Sequence, residues 1–271
     1  MKTRILSGTV FVAIITGFFL LREFVDFRLF NILIWFFAVG GAYEIARAVG
    51  GNTHFALRTV ATLAGGISVP LFCVVEHFFT GYGAFAVIGL SAIAFLLTLV
   101  LPNHGTEFGL KILPAIYPLL PLVSMMVINY LPNALGLVAM LLTFVIAPFA
   151  DTFAYFLGSL IGGKKLCPKL SPKKTWAGAF GSVIGGVVGA LAVYFIFGKG
   201  LNLNYGALIF GGLGFVASIV TIFGDLFASL IKRKVGIKDY GNIMPGHGGV
   251  MDRIDGMCLA SVVIMILFLV L

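Results

Sequence analysis

Charge is what this sequence has least of. Only 10% of its 271 residues are Asp, Glu, Lys or Arg, and only ten are acidic. A soluble domain carries about a quarter charged residues. With 60% hydrophobic residues and a mean hydropathy of +1.11, the chain is excluded from the soluble globular class and reads as an integral membrane protein. Cysteine is also scarce: Cys73, Cys167 and Cys258 are odd in number and widely spaced, with no C-x-x-C. That excludes a disulfide framework and a cysteine zinc site. No internal repeat is visible, which argues against an inverted-repeat transporter. The first apolar run, Ile5 to Leu21, is followed by Arg22, Glu23 and Phe24 rather than by a small-x-small cleavage site, so it is expected to be retained as a helix.

What is present is long hydrophobic runs. A span needs about 20 apolar residues, and hydropathy with Gly and Pro punctuation predicts nine helices, near 5–21, 28–47, 57–79, 82–101, 112–131, 134–158, 176–197, 205–231 and 251–271. The expected fold is therefore all-α and polytopic. It is one integrated membrane domain, with five N-terminal spans in 1–132 and a four-span catalytic region in 133–271. Pro114, Pro118 and Pro121 in the fifth helix and Pro148 in the sixth predict kinks. The glycines of the seventh, Gly178 to Gly189, predict close helix packing.

Basic residues fall on one side. With the N-terminus inside, 15 of the 18 Lys and Arg residues lie in inside segments, leaving Arg22, Arg28 and Lys199 outside. This is the asymmetry expected of a cytoplasmic N-terminus. Ten of the 15 fall in two cytoplasmic loops, 159–175 and 232–255.

The acids divide in two groups. Glu23, Asp26, Glu44, Glu76 and Glu107 are scattered through the first half and read as interfacial anchors or isolated pairs. Asp151, Asp225, Asp239, Asp252 and Asp255 gather in or beside helices six, eight and nine. Asp151 and Asp225 sit in apolar helical stretches, where a carboxylate requires a partner or a polar cavity. Asp252 and Asp255 are spaced i,i+3, which puts them on one helix face with Cβ atoms about 5–6 Å apart. Like charges that close raise each other's pKa unless a cation lies between them. The positive end of the helix dipole does not balance two carboxylates. Oxygen ligands without a Cys or His cluster suit a hard cation such as Mg²⁺, which takes one or two carboxylates, water and substrate phosphates. The neighbouring cations suit phosphate recognition, and the glycines of PGHGG (Gly246, Gly248, Gly249) permit close backbone approach.

The stretch Ser229 to Asp255 reads SLIKRKVGIKDYGNIMPGHGGVMDRID. It resembles the signature of the phosphatidate cytidylyltransferase (CDP-diacylglycerol synthase) family: S-x-apolar-K-R, four residues, K-D, then P-x-H-G-G-apolar-x-D-R-x-D. Every polar position is filled, and Met244 stands where Leu, Ile or Phe is usual. DTFAYFLGSLIGGKK and SPKKTWAGAFG upstream are also similar to that family, so the likeness covers about 150 to 260.

The resemblance implies transfer of a cytidylyl group from CTP to phosphatidic acid, releasing pyrophosphate and forming CDP-diacylglycerol. It implies Mg²⁺ dependence, leaves room for a second cation such as K⁺, and implies a homodimer in the plasma membrane of a prokaryote. Membrane lipids and the two substrates are the expected partners, with no nucleic acid. Carried onto this chain, Asp225, Asp252 and Asp255 are the expected metal ligands. Lys232, Arg233, Lys238 and Arg253 are expected to clamp phosphates, Asp239 to orient Lys238 or join the outer metal shell, and His247 to donate to a phosphate oxygen. Asp151, Ser171, Lys173, Lys174 and Thr175 are candidates for binding the nucleotide or the lipid phosphate. The rival classes are an ion-coupled transporter using Asp151 and Asp225, and a CTP-dependent lipid-alcohol kinase.

Overall fold

A computed structural model describes residues 2–51, 55–101, 108–199, 206–243, 246 and 248–270. Among them nine helices, from Leu6–Phe24 to Met251–Val270, are long and apolar enough to cross a membrane, and each lies within a few residues of its predicted span. The protein is an all-α polytopic integral membrane protein. Large apolar side chains such as Phe85 (68% exposed), Leu208 (76%) and Val100 (86%) point outward. Water would not tolerate so many, whereas lipid does.

The chain folds as two compact units, Met1–Tyr130 with Lys234–Ile254, and Leu131–Arg233 with Asp255–Leu271. In the first, α1 (Lys2–Phe24), α2 (Phe30–Gly50), α3 (Phe55–Phe78) and α4 (Gly83–Val100) are followed by three short helices. These are α5 (Phe108–Lys111), α6 (Leu113–Ile116) and α7 (Leu119–Asn129), which together form the predicted fifth span. The proline-rich span breaks outright. Tyr117 precedes Pro118 and is extended (φ −101°, ψ 103°), because a residue before proline is pushed out of the helical region. Pro121 is tolerated in the first turn of α7, where its missing N–H has no intrahelical partner to lose. Leu119, Leu122, Met125, Met126 and Ile128 are fully buried, so α7 supplies much of this unit's core. A polar tie closes one end: Arg22 Nε donates to Asn129 Oδ1 at 2.9 Å. Asn129 Nδ2 in turn donates to Asn31 Oδ1 at 3.1 Å and to the Phe27 carbonyl at 2.9 Å.

The second unit contains α8 (Asn133–Ile161), a hairpin of β1 (Lys165–Cys167) and β2 (Ser171–Thr175), α9 (Trp176–Val193), α10 (Gly206–Lys234) and most of α11 (Met251–Val270). The glycines of α9 are packing residues. A Cβ at Gly181 would lie 2.6 Å from the Phe153 carbonyl oxygen, and one at Gly185 would collide with that of Phe149. Backbone-to-backbone approach of this kind is what small-xxx-small stripes allow. Gly214 likewise lies on α9 at Gly186, and Gly224 on α11 at Asp255 and Gly256. The hairpin is a departure from a plain loop. It is antiparallel, with Lys165 opposite Thr175 and Cys167 opposite Ser171. Gly162 and Gly163, at φ 65° and 91°, turn the chain out of α8 in conformations that side-chain-bearing residues avoid.

Candidate active site

In the second unit the hairpin carries Lys173 and Lys174 to the start of α9. Thr175 caps that helix: its Oγ1 accepts from the Gly178 N–H at 3.0 Å, as an N-cap threonine does. Lys174 Nζ forms an ion pair with Asp225 Oδ2 on α10, with both side chains about one-third exposed or less. Asp151, Lys173, Lys174, Thr175 and Asp225 together line a cavity of about 400 Å³ that also receives Tyr155 and Ser182. Gly158 on α8 and Gly178 on α9 also line it, and a Cβ on Gly178 would lie 3.1 Å from the Ala154 carbonyl oxygen.

Asp255, on α11, has Asp225, Lys232 and Asp151 as its charged neighbours, and its Oδ1 accepts from the Gly256 N–H at 2.8 Å. Gly224 passes close to Asp255, where a Cβ would lie 2.8 Å from the Asp255 carbonyl oxygen, so α10 and α11 pack tightly next to Asp225. Arg233, exposed, donates from Nε to the Leu170 carbonyl in the hairpin turn at 3.3 Å. Ser171 sits on the hairpin opposite Cys167 and does not line the cavity.

The first unit holds the remaining candidates. Asp252 reaches back from the first turn of α11, and its Oδ2 accepts from the N–H groups of Tyr240 (2.8 Å) and Gly249 (3.0 Å). Gly248, at φ 91°, passes so close that a Cβ would lie 2.8 Å from that oxygen. Lys238 and Asp239 are exposed just ahead of the buried Tyr240. Arg253 is half-buried, and its backbone N–H bonds to the Val250 carbonyl at 3.0 Å. His247 and Glu107 lie outside the described residues.

Glu44 is where reading by composition went astray. Expected as an interfacial anchor or isolated pair, it is 2% exposed and accepts from the N–H groups of Val250 (3.0 Å) and Met251 (2.9 Å). Three of the other early acids have local partners: Glu23 lies 3.8 Å from Arg22, Asp26 accepts from the Arg28 N–H at 2.7 Å, and Glu76 from those of Gly81 and Gly83 at 2.8 and 3.0 Å. The signal that could have singled out Glu44 is its place in an apolar run, three residues after Gly41.

Among the described residues no three His, Cys, Asp or Glu side chains stand close enough to hold an ion by themselves. The second unit nevertheless suits a hard cation by its chemistry. Asp151, Asp225 and Asp255 are all oxygen donors, the ligand type a hard cation takes. Asp252 is assigned to the other unit, with one oxygen already committed to two amides.

The fold and the cavity together describe a polytopic helical membrane protein that gathers aspartates and lysines in one unit. The Cytidylyltransferase family matches residues 2–271, and the chain belongs to that family. It is 33% identical over 273 residues to the phosphatidate cytidylyltransferase of Pseudomonas aeruginosa, covering 96% of this chain and 94% of that one. The protein of the same name from Brucella abortus is 40% identical over 126 residues, 46% of this chain and 45% of its own. Phosphatidate cytidylyltransferase 5, chloroplastic, of Arabidopsis thaliana is 43% identical over 123 residues, 44% and 29% respectively. The chain thus spans about half the length of the Brucella relatives it matches, and nearly all of the Pseudomonas one.

Proposed function

We propose that this protein is a phosphatidate cytidylyltransferase, which converts CTP and phosphatidic acid to CDP-diacylglycerol and pyrophosphate. The observation that carries the proposal is the end-to-end similarity to a protein of that name in Pseudomonas aeruginosa. The gathering of Asp151, Lys173, Lys174, Asp225 and Asp255 in one unit supports it chemically.

In this reaction a phosphate oxygen of phosphatidic acid attacks the α-phosphorus of CTP. The bond from that phosphorus to the bridging oxygen breaks, and pyrophosphate leaves with the electron pair. The attacking monoester is largely ionised near neutral pH, so the task is to position two anions and to stabilise spreading charge rather than to remove a proton. Lys173, Lys174 and Lys232 serve that purpose in the second unit, with Arg233 at the hairpin. Lys238, Arg253 and His247 are the proposed phosphate contacts of the 234–254 segment. The pairing of Lys174 with Asp225 supports a resting arrangement in which each group holds the other until a phosphate and a cation replace them.

Asp225 and Asp255 are the proposed holders of Mg²⁺ in the second unit, and Asp252 is a proposed Mg²⁺ ligand in the first by the family resemblance; Mg²⁺, when bound, would offset negative charge on the reacting phosphates. The Lys and Arg asymmetry supports a cytoplasmic N-terminus and active face, and the bacterial relatives favour the plasma membrane of a prokaryote. A homodimer follows from the family resemblance, and light scattering of the detergent-solubilised protein tests it. The decisive experiment is identification of the products formed from labelled CTP and phosphatidic acid. CDP-diacylglycerol with pyrophosphate supports the proposal; CDP with a phosphorylated lipid, or uptake without pyrophosphate release, refutes it.

A further inference from the structure

We propose that Glu44 is a positioning residue for the chemistry of the preceding section, on which this inference rests, and that it acts by clamping the start of α11 beside Asp252. A carboxylate within an apolar, lipid-embedded helix is costly unless strong donors meet it. Glu44 meets two, the Val250 and Met251 N–H groups, more than 200 residues away in sequence. These are among the first amides of α11, which have no partner inside their own helix and carry its positive end.

The next amide back, that of Gly249, is taken by Asp252. Three consecutive N–H groups, 249 to 251, are therefore held by carboxylates. They are not open to a phosphate, and anion recognition at this end falls to side chains.

The surroundings are shaped to the clamp. A Cβ on Gly241 or on Gly249 would run into the Glu44 carboxylate, so glycine at both positions is needed for the acid to reach the backbone. On α2 itself, a Cβ on Gly40 would lie 2.9 Å from the Val250 side chain and one on Gly41 3.5 Å from Met251 Sδ. Glu44 and Asp252 thus hold one segment from two sides. Asp252 takes its orientation from amides whose neighbours Glu44 fixes, as outer groups orient ligands in other sites.

The test uses the full-length protein with Glu44→Gln and Glu44→Ala. Hydrogen exchange of the peptide containing Gly249 to Met251 is measured together with kcat, the Mg²⁺ activation constant, the KM for phosphatidic acid and thermal unfolding. Loss of both charged acceptors in Glu44→Ala should speed exchange by about tenfold or more, and Glu44→Gln, which keeps one acceptor, by less. Turnover should fall by about tenfold and the Mg²⁺ activation constant should rise, while the KM for phosphatidic acid stays the same. A purely structural role would lower the unfolding temperature and the folded fraction, yet leave kcat per folded molecule and the Mg²⁺ constant at wild-type values; that result overturns the proposal. So does unchanged exchange in Glu44→Ala, or in Glu44→Gln where the alanine variant does not fold. Wild-type protein that releases no pyrophosphate would refute the functional reading instead, and the exchange rates alone would then decide the clamp.

Discussion

Replacing Lys174 by methionine removes a charge while keeping the length of the side chain, and it separates a structural ion pair from a catalytic one. Lys174 pairs with Asp225, and their side chains are 27% and 33% exposed. Two unit charges about 4 Å apart attract by about 4 kcal/mol at an effective dielectric of about 20. Solvent screening and the entropy of holding a long side chain cut the net worth of such a part-exposed pair to about 1 kcal/mol or less. The β2 ladder and the Thr175 cap hold the backbone here whether or not the pair is present. The unfolding temperature should therefore drop by only about 2–4 °C.

Catalysis should suffer far more. Removing one group that stabilises charge in the transition state costs about 10²–10³ in kcat. Pyrophosphate release from CTP and phosphatidic acid measures it, beside a thermal scan of the same sample. The swap Lys174→Asp with Asp225→Lys re-forms the pair and should regain stability but not turnover. Lys174→Met with turnover within about threefold of wild type would refute the assignment of Lys174 to substrate phosphate, since about 0.7 kcal/mol is too little for such a contact.

Asp255→Asn should abolish most turnover and weaken Mg²⁺ activation, and EDTA should silence the wild type until Mg²⁺ is restored; activity indifferent to both removes the cation from the mechanism. Lys238→Ala, at an exposed position, should raise KM for CTP or phosphatidic acid or lower kcat without changing the unfolding temperature, and wild-type kinetics would exclude it from the site. Gly185→Val should destabilise by about 1–3 kcal/mol or more through overpacking, because its Cβ would overlap Phe149 and come within 2.7 Å of Phe153 Cβ. A normal unfolding temperature there would contradict the described approach of α8 and α9.

Much of the architecture was legible because membrane insertion is a local property. About 20 apolar residues make a span whatever surrounds them, so all nine candidate helices could be placed without tertiary knowledge. The glycine stripe of α9 was legible as a packing face for the same reason, since its spacing is intrinsic to the helix. The hairpin at 165–175 was not, because its strands are three and five residues long and Pro168 and Pro172 read as loop. The family was legible because SLIKRK to DRID is contiguous in the chain.

The partners of those residues were not legible. Glu44 looked like one of several scattered acids because nothing within its own helix marks the N–H groups of Val250 and Met251 as its partners. Lys174 and Asp225 lie on separate elements, and their pairing has no period to betray it. Sequence by itself determined the family and the number of candidate spans. Tertiary structure alone decided which carboxylate meets which donor. Hydropathy sums over neighbours along the chain, whereas a hydrogen bond or an ion pair depends on where two distant backbones are brought within about 3 Å of each other.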